Sequence, residues 1–414
     1  MRRLILVLLF LQIALILTGC FDRKELEEQA YVISIGVDKT DKDNIFRFTF
    51  EIANPEVGSS VSNVSTKEPA QEVVSVLGTD FLSATSTANT AVAKEITLDQ
   101  VRVVIFSEKL ARSKEFIHVI QAAPSTVDLK LNAQMVISKE KAEDFIRHNK
   151  PRLESRPHKY FQYMLDRARE TGVIPDAPLV RFFQITEGDA DLFIAPFAST
   201  EREPTDKYGA EDKYKAGEID INGGNPTQFI GAAVFKEGQM IDTLTGQETR
   251  YVLMLDTTLP QQDILATYKD PLRPEFEISA KVQIDRVKVK IDYKKHGRSV
   301  IDVHVNAHLN VFAIPSTEDY MLNPKKRRIL YASIQKQMYQ NAEEIVRKSQ
   351  EKYKADPFYW SLHIRSKFLT IKDYEKADWS NKIYPNADVH LHVDVKSIEF
   401  GKTLRQSNIG KVRD

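Results

Sequence analysis

The only cysteine of this 414-residue chain stands at position 20, directly after an apolar run, and that placement constrains everything that follows it. A single thiol closes no disulfide and builds no Cys-based zinc site, so the fold rests on apolar cores alone. With 42% apolar and 28% charged residues, the chain has the balance of a water-soluble globular protein. At about 150 residues per domain its length gives two or three cores, and we expect three.

Residues 1–19 have the anatomy of an export signal: Arg2 and Arg3, an apolar stretch from Leu4 to Leu17, then small residues. A membrane-spanning helix needs about 20 apolar residues. This run falls short, contains Gln12, and is followed by Asp22, Arg23 and Lys24. Leu17, Thr18, Gly19 and Cys20 resemble the bacterial lipobox, in which the thiol receives a diacylglyceryl group and the leader is cut before it. Each buried CH₂ contributes about 0.8 kcal/mol, so two acyl chains hold stably and tethering needs no basic patch. The expected partner of the N-terminus is therefore a membrane.

Lys+Arg and Asp+Glu both number 58. Removing the leader with its two arginines leaves 56 bases against 58 acids, a net charge of −2. Nucleic-acid binding needs clustered Lys and Arg, so no nucleic acid is expected as a partner.

Tyr31–Asp38 reads as a strand, and Phe46, Phe48, Phe50 and Ile52 alternate with Arg47, Thr49 and Glu51 on a second, joined by a hairpin. Gly58–Pro69, rich in Ser, Asn and Thr, reads as a loop. Ala70–Ala91 carries helical-period apolar residues, Val101–Phe106 is a buried-type strand, and Glu108–Ala122 reads as a helix. Met135–Ile137 and Lys139–Arg147 repeat the order strand then helix, and Tyr160–Glu170 is a further helix. The alternation predicts a mixed α/β N-terminal domain over 20–185.

A polar stretch follows, and Phe229–Leu244 with the helix Gly246–Leu255 predicts a small middle domain over 186–275. From 276 to 414 the pattern is α+β. Ile301, Val303, Val305, Ala307, Leu309 and Val311 alternate without a break, Asp285-Arg286 shifts the phase as a bulge would, and Val389, Leu391, Val393 and Val395 give a last strand. Leu330, Ile334, Met338, Ala342, Ile345 and Val346 form one stripe along Pro324–Lys354. The expected C-terminal domain is an antiparallel sheet covered by that long helix, and the chain as a whole is a multidomain α+β protein.

No G-x-S-x-G, P-loop, H-E-x-x-H, dinucleotide-binding or EF-hand pattern occurs in the body. His304 and His308 share one strand face and His390 and His392 another, yet no carboxylate pattern accompanies them, so we read solvated histidines and expect no metal, cofactor or catalytic residue. Glu27-Glu28 and Glu343-Glu344 read as solvated charge, since neighbours point to different sides of a helix. Asp356–Trp360 reads as a capping core for the long helix, with a partner-binding patch as the alternative.

Gly19–Leu26 followed by Val32–Asp38 resembles the start of the Ger(x)C-type spore germination lipoproteins, the C subunits of germinant receptors. Gly231–Phe235 with Gly246–Arg250 is similar to the middle signature of that family, and Lys352–Asp356 with Trp379 and Ile383–Pro385 to its C-terminal one. Phe21 stands where the family usually has Trp, and Pro357–Trp360 replaces a Gly-containing stretch. The resemblance implies a nonenzymatic, three-domain subunit, lipid-anchored at the outer face of the spore's inner membrane and assembled with a polytopic A subunit and a transporter-like B subunit. Nutrient binding in such receptors is usually assigned to the B subunit. An anchored extracytoplasmic small-molecule binding protein is the competing expectation.

Overall fold

The computed structural model describes residues 28–53, 71–154, 156–188, 191–205, 211–258 and 263–401. The leader, Leu17, Thr18, Gly19, Cys20, Phe21, Glu27 and the Gly58–Pro69 loop lie outside the described residues.

The alternating segments pair as expected, β1 (Gln29–Lys39) antiparallel to β2 (Phe46–Ala53). The stretch expected as a helix over Ala70–Ala91 divides instead. Its β-branched Val73, Val74 and Val76 form β3 (Gln71–Gly78) against Glu51, Phe50 and Phe48. Helix α1 (Phe81–Ala88) starts only after Asp80, whose carboxylate accepts from Ser83 N at 2.8 Å while Ser83 Oγ accepts from Asp80 N.

Four strands run parallel to β1 or to one another beside it: β4 (Glu95–Thr97) on β1, then β5 (Val103–Ser107), β6 (Gln134–Ser138) and β7 (Phe193–Ser199) in succession. Their crossovers contain α2 (Ala142–His148), α3 (Pro157–Glu170) and α4 (Leu179–Thr186). The helix expected over Glu108–Ala122 is two short turns, Glu108–Ala111 and Phe116–Ile120. Ser113 separates them, its N–H and its hydroxyl both donating to Leu110 O at 2.8 Å.

The hairpin β8 (Gln228–Lys236) and β9 (Gln239–Leu244), expected in a separate middle domain, extends this sheet: β7 pairs β8 antiparallel, giving the order β3-β2-β1-β5-β6-β7-β8-β9. Phe193–Ser199 is buried throughout, as is Gln228–Phe235. Phe193 and Phe235 join the first core, while Leu192, Ile194, Ala232 and Val234 join the second on the opposite face. A strand covered on both faces shows no polar alternation, so nothing in its pattern tied it to the sheet before it.

Helix α5 (Gly246–Leu255) begins at a second capping box, Thr245 with Glu248, and leads into the second sheet. That sheet is β10 (Ile264–Lys269), β11 (Glu277–Asp292), β12 (Val300–Ala313) and β13 (Asp388–Phe400) in order. Since β10 pairs β11, the sheet crosses the boundary expected at 275/276. A register shift between Ile284 and Arg286 confirms the bulge. The expected all-antiparallel arrangement holds for β10, β11 and β12 only. β13 is parallel to β12, because a long helical connection returns the chain to the end at which β12 began.

That connection contains α6 (Pro324–Lys348), whose predicted stripe of Leu330, Ile334, Met338, Ala342, Ile345 and Val346 is buried in full. The helix stops short of Lys354 through a wide turn, Ser349–Tyr353, closed by Lys354 at φ 51°. It is followed by α7 (Ser361–Arg365) and α8 (Ile371–Ala377). Among the described residues no helix is long and apolar enough to cross a membrane.

Candidate functional site

Strands β12 and β13 are neighbours with His304 opposite His392, and the two rings stack with centroids 4.3 Å apart. The other two histidines turn to separate partners. His308 places Nε2 2.8 Å from Asp285 Oδ2 and Nδ1 2.6 Å from Ser397 Oγ, while His390 Nδ1 lies 3.2 Å from Asp302 Oδ1. The four are thus distributed along a polar sheet face, and among the described residues no group of three or more His, Cys, Asp or Glu could hold a metal. Glu343 and Glu344 are both exposed.

The motif residues have packing and capping roles. Gly36 of β1 lies under α2, where a Cβ would meet Ala142 Cβ at 3.1 Å. Two residues on, Asp38 accepts from Ala142 N at 2.8 Å and Glu143 N at 2.9 Å, so a strand carboxylate caps a helix distant in sequence. Burial raises the Asp38 carboxyl, against the hydrogen bonds that lower it. In the middle signature, Arg250 pairs with Asp212 at 3.0 Å, both almost fully buried, and donates through Nε to Thr171 O, tying α5 to the end of α3.

The C-terminal signature clasps the edge of the first sheet. Lys352 and the Tyr353 hydroxyl reach Asp242 of β9 at 2.7 and 2.6 Å. Burial would raise that carboxyl, but these hydrogen bonds and the charge of Lys348 outweigh it and hold it at about 2. Trp379 and Tyr384 are core residues 5.7 Å apart, and the Tyr384 hydroxyl bonds Ser349 Oγ.

Asp356–Trp360 is the core expected from sequence, and it also forms the seam between the two sheets. Asp356 bridges Asp191 at the start of β7, with Leu192 N donating to Asp356 O at 3.0 Å. Tyr359 OH donates to Leu192 O and Trp360 Nε1 to Leu255 O, each at 3.1 Å. Arg181 of α4 lies over the Tyr359 ring at 4.8 Å and pairs with Asp256 at 3.1 Å. Burial, with Asp191 close by, raises Asp356 well above the usual carboxylate range, while Phe358 N and Ser361 N donate to its two oxygens. Asp191, Asp212 and Asp256 stand outside every motif, and the sequence carries no local signal for them.

One surface groove of about 680 Å³ runs between α6 and β13. Four consecutive residues, Leu391–Asp394, line it. Successive strand residues point to opposite faces, so the groove follows the sheet edge itself. A second hollow of about 560 Å³ lies at the tip of the β11–β12 hairpin.

Two family models match the chain: "Spore germination protein N-terminal domain" over residues 22–198 and "Spore germination B3/GerAC like, C-terminal" over 230–401. Among curated proteins of Bacillus subtilis (strain 168), YfkR is 22% identical over 405 residues, covering 95% of this chain and 96% of that protein. Spore germination protein B3 is 21% identical over 398 residues, 95% and 97% of the two chains. Spore germination protein KC is 26% identical over 149 residues, 35% and 36%. The solved GerBC protein covers 91% of this chain and 99% of its own, with 16% identity and a TM-score of 0.49. The chain belongs to the Ger(x)C family of spore germination proteins, whose membership supports a role in spore germination.

Proposed function

We propose that this chain is a lipid-anchored, nonenzymatic C subunit of a spore germinant receptor. In this reading, a diacylglyceryl group on Cys20 holds the body at the outer face of the spore's inner membrane, and the body works by contact with the polytopic A subunit and the B subunit. The supporting observation is that the first family match begins at residue 22, two positions after the Cys20 that ends Leu17-Thr18-Gly19-Cys20. The packing and capping roles of the motif residues agree with a contact function.

The test is Cys20→Ala in spores. We expect the chain to be lost from the inner-membrane fraction and nutrient-triggered germination to fail. Normal retention and germination in that variant would refute the reading.

A further inference from the structure

At the tip of the β11–β12 hairpin, Lys294, Lys295 and Arg298 face Lys376 and Lys382 across the 560 Å³ hollow, with Asp373 as the one carboxylate in its lining. Arg298 and Lys382 have acidic partners in Asp388 and Asp378. Lys294, Lys295 and Lys376 make no ion pair among the described residues, nor do Lys367 and Lys372 beside them. This local excess of positive charge belongs to a chain whose formal net charge is zero.

Between Lys367 and Lys372 stand Leu369, 100% exposed, and Ile371, 77% exposed. Their segment is held against the hairpin by the ring contact of Tyr293 with Phe368 at 5.0 Å, and Phe368 in turn packs on Tyr374 of α8 at 5.7 Å, so the apolar pair and the lysines form one surface. Water-exposed aliphatic side chains rimmed by unpaired lysines match the depth profile of a bilayer interface, with acyl chains inside and anionic headgroups outside.

The placement of this surface agrees. β1, β5, β6 and β7 are parallel, so β1 and β7 begin at the same end of the first sheet. Asp191, just before β7, accepts from Ser361 Oγ at 2.7 Å, and Ser361 opens α7. The segment carrying Leu369 and Ile371 therefore departs from the end at which the chain enters from Cys20. Eight residues separate Cys20 from Gln29, a tether of at most about 30 Å.

We propose that this surface docks on anionic lipid: Leu369 and Ile371 enter the acyl boundary while the hairpin lysines and Lys376 take phospholipid headgroups, fixing the orientation of the tethered body. The proposal rests on the reading that the chain is held at a bilayer.

The experiment uses the full chain carrying Leu369→Cys or, as control, Leu153→Cys, labelled with a nitroxide and reconstituted into vesicles of phosphatidylcholine with or without phosphatidylglycerol. Both positions are fully exposed, so labelling leaves the cores intact. Mass spectrometry and flotation report the anchor: one nitroxide per chain means Cys20 is blocked, and two means it is free. Collision with a water-soluble relaxing agent reports the patch. We expect the 369 nitroxide to be shielded several-fold relative to 153 in phosphatidylglycerol vesicles. Adding Lys294→Glu, Lys295→Glu and Lys376→Glu should abolish the shielding, since each lysine near such a surface contributes roughly fivefold in partitioning, or about a hundredfold for three. A chain that floats while its 369 nitroxide stays in water overturns the patch and leaves the anchor standing. Spin–spin broadening at 369 would assign the surface to a second copy and also overturn the proposal. Flotation only with phosphatidylglycerol, lost on charge reversal, supports the patch and overturns the anchor.

Discussion

Glu51 shows how one residue departs from its pattern. Its alternation with Phe50 and Ile52 placed it on a polar face, yet it is 1% exposed, and Ser34 Oγ donates to it across the strand pair at 2.5 Å. Burial, opposed by that hydrogen bond, pushes its carboxyl up from 4.5 to about 7. A raised folded value means the folded state holds the proton more tightly than the unfolded chain. The associated stability is complete below 4.5 and is lost as pH rises through about 7. At 1.36 kcal/mol per pKa unit the loss is about 3 kcal/mol. Glu51→Gln keeps the shape without the charge, so it should match the parent in urea at acidic pH and exceed it by about 3 kcal/mol above neutrality. Equal urea midpoints at both pH values would show that folding leaves the Glu51 carboxyl at its ordinary pKa. Alternation could not reveal this burial, because it reports the face that a strand turns to its own core and is silent on helices arriving later in the chain. Asp38 was equally hidden, its helix partner lying more than a hundred residues away.

Elements were legible where one face is wet. α6 declared itself through six apolar residues on one stripe, and β12 through unbroken alternation, since each has water on its other side. β3 was read as helix, and β8, correctly read as a hairpin strand, was placed in a separate domain, for opposite reasons: β8 is covered on both faces, whereas β3 is a partly buried edge strand with short-period apolar content that also fits a helix. Glycine carries the information that the β8 pattern lacks. Gly231 has φ 90°, its N–H donates to Val173 O at 2.8 Å, and a Cβ there would stand 2.3 Å from Leu244 O of β9. Gly297, at the β11–β12 tip, also has a positive φ, 104°, but nothing within 4 Å of a Cβ. Gly297→Ala should therefore cost about 1 kcal/mol from backbone strain alone, and Gly231→Ala at least about 3 kcal/mol, since the β8–β9 pairing must open as well. Urea titration of the two variants separates the terms, and equal costs would mean that β9 yields freely.

At the scale of the whole molecule, β7 and β8 belong to both cores, with Phe193 and Phe235 on one side and Ile194 and Val234 on the other. The Asp356 bridge and the Lys352–Tyr353 clasp on Asp242 add polar links across the same seam. Neither core can lose these strands without exposing the apolar surface of its neighbour, so separate unfolding would cost each core part of its own interior. The two tryptophans, Trp360 and Trp379, both lie in the second core, so their fluorescence reports that core alone, while amide exchange in β5 reports the first. We expect the two signals to change together in urea. Trp360→Ala removes a fully buried ring and the hydrogen bond to Leu255 O, which should cost about 3–5 kcal/mol. Trp379 still reports the second core in that variant, and exchange in Val103–Ser107 should quicken by the same free energy even though β5 does not touch the altered site. Protection of β5 that persists after the tryptophan signal has shifted would show that the shared strands do not couple the two cores.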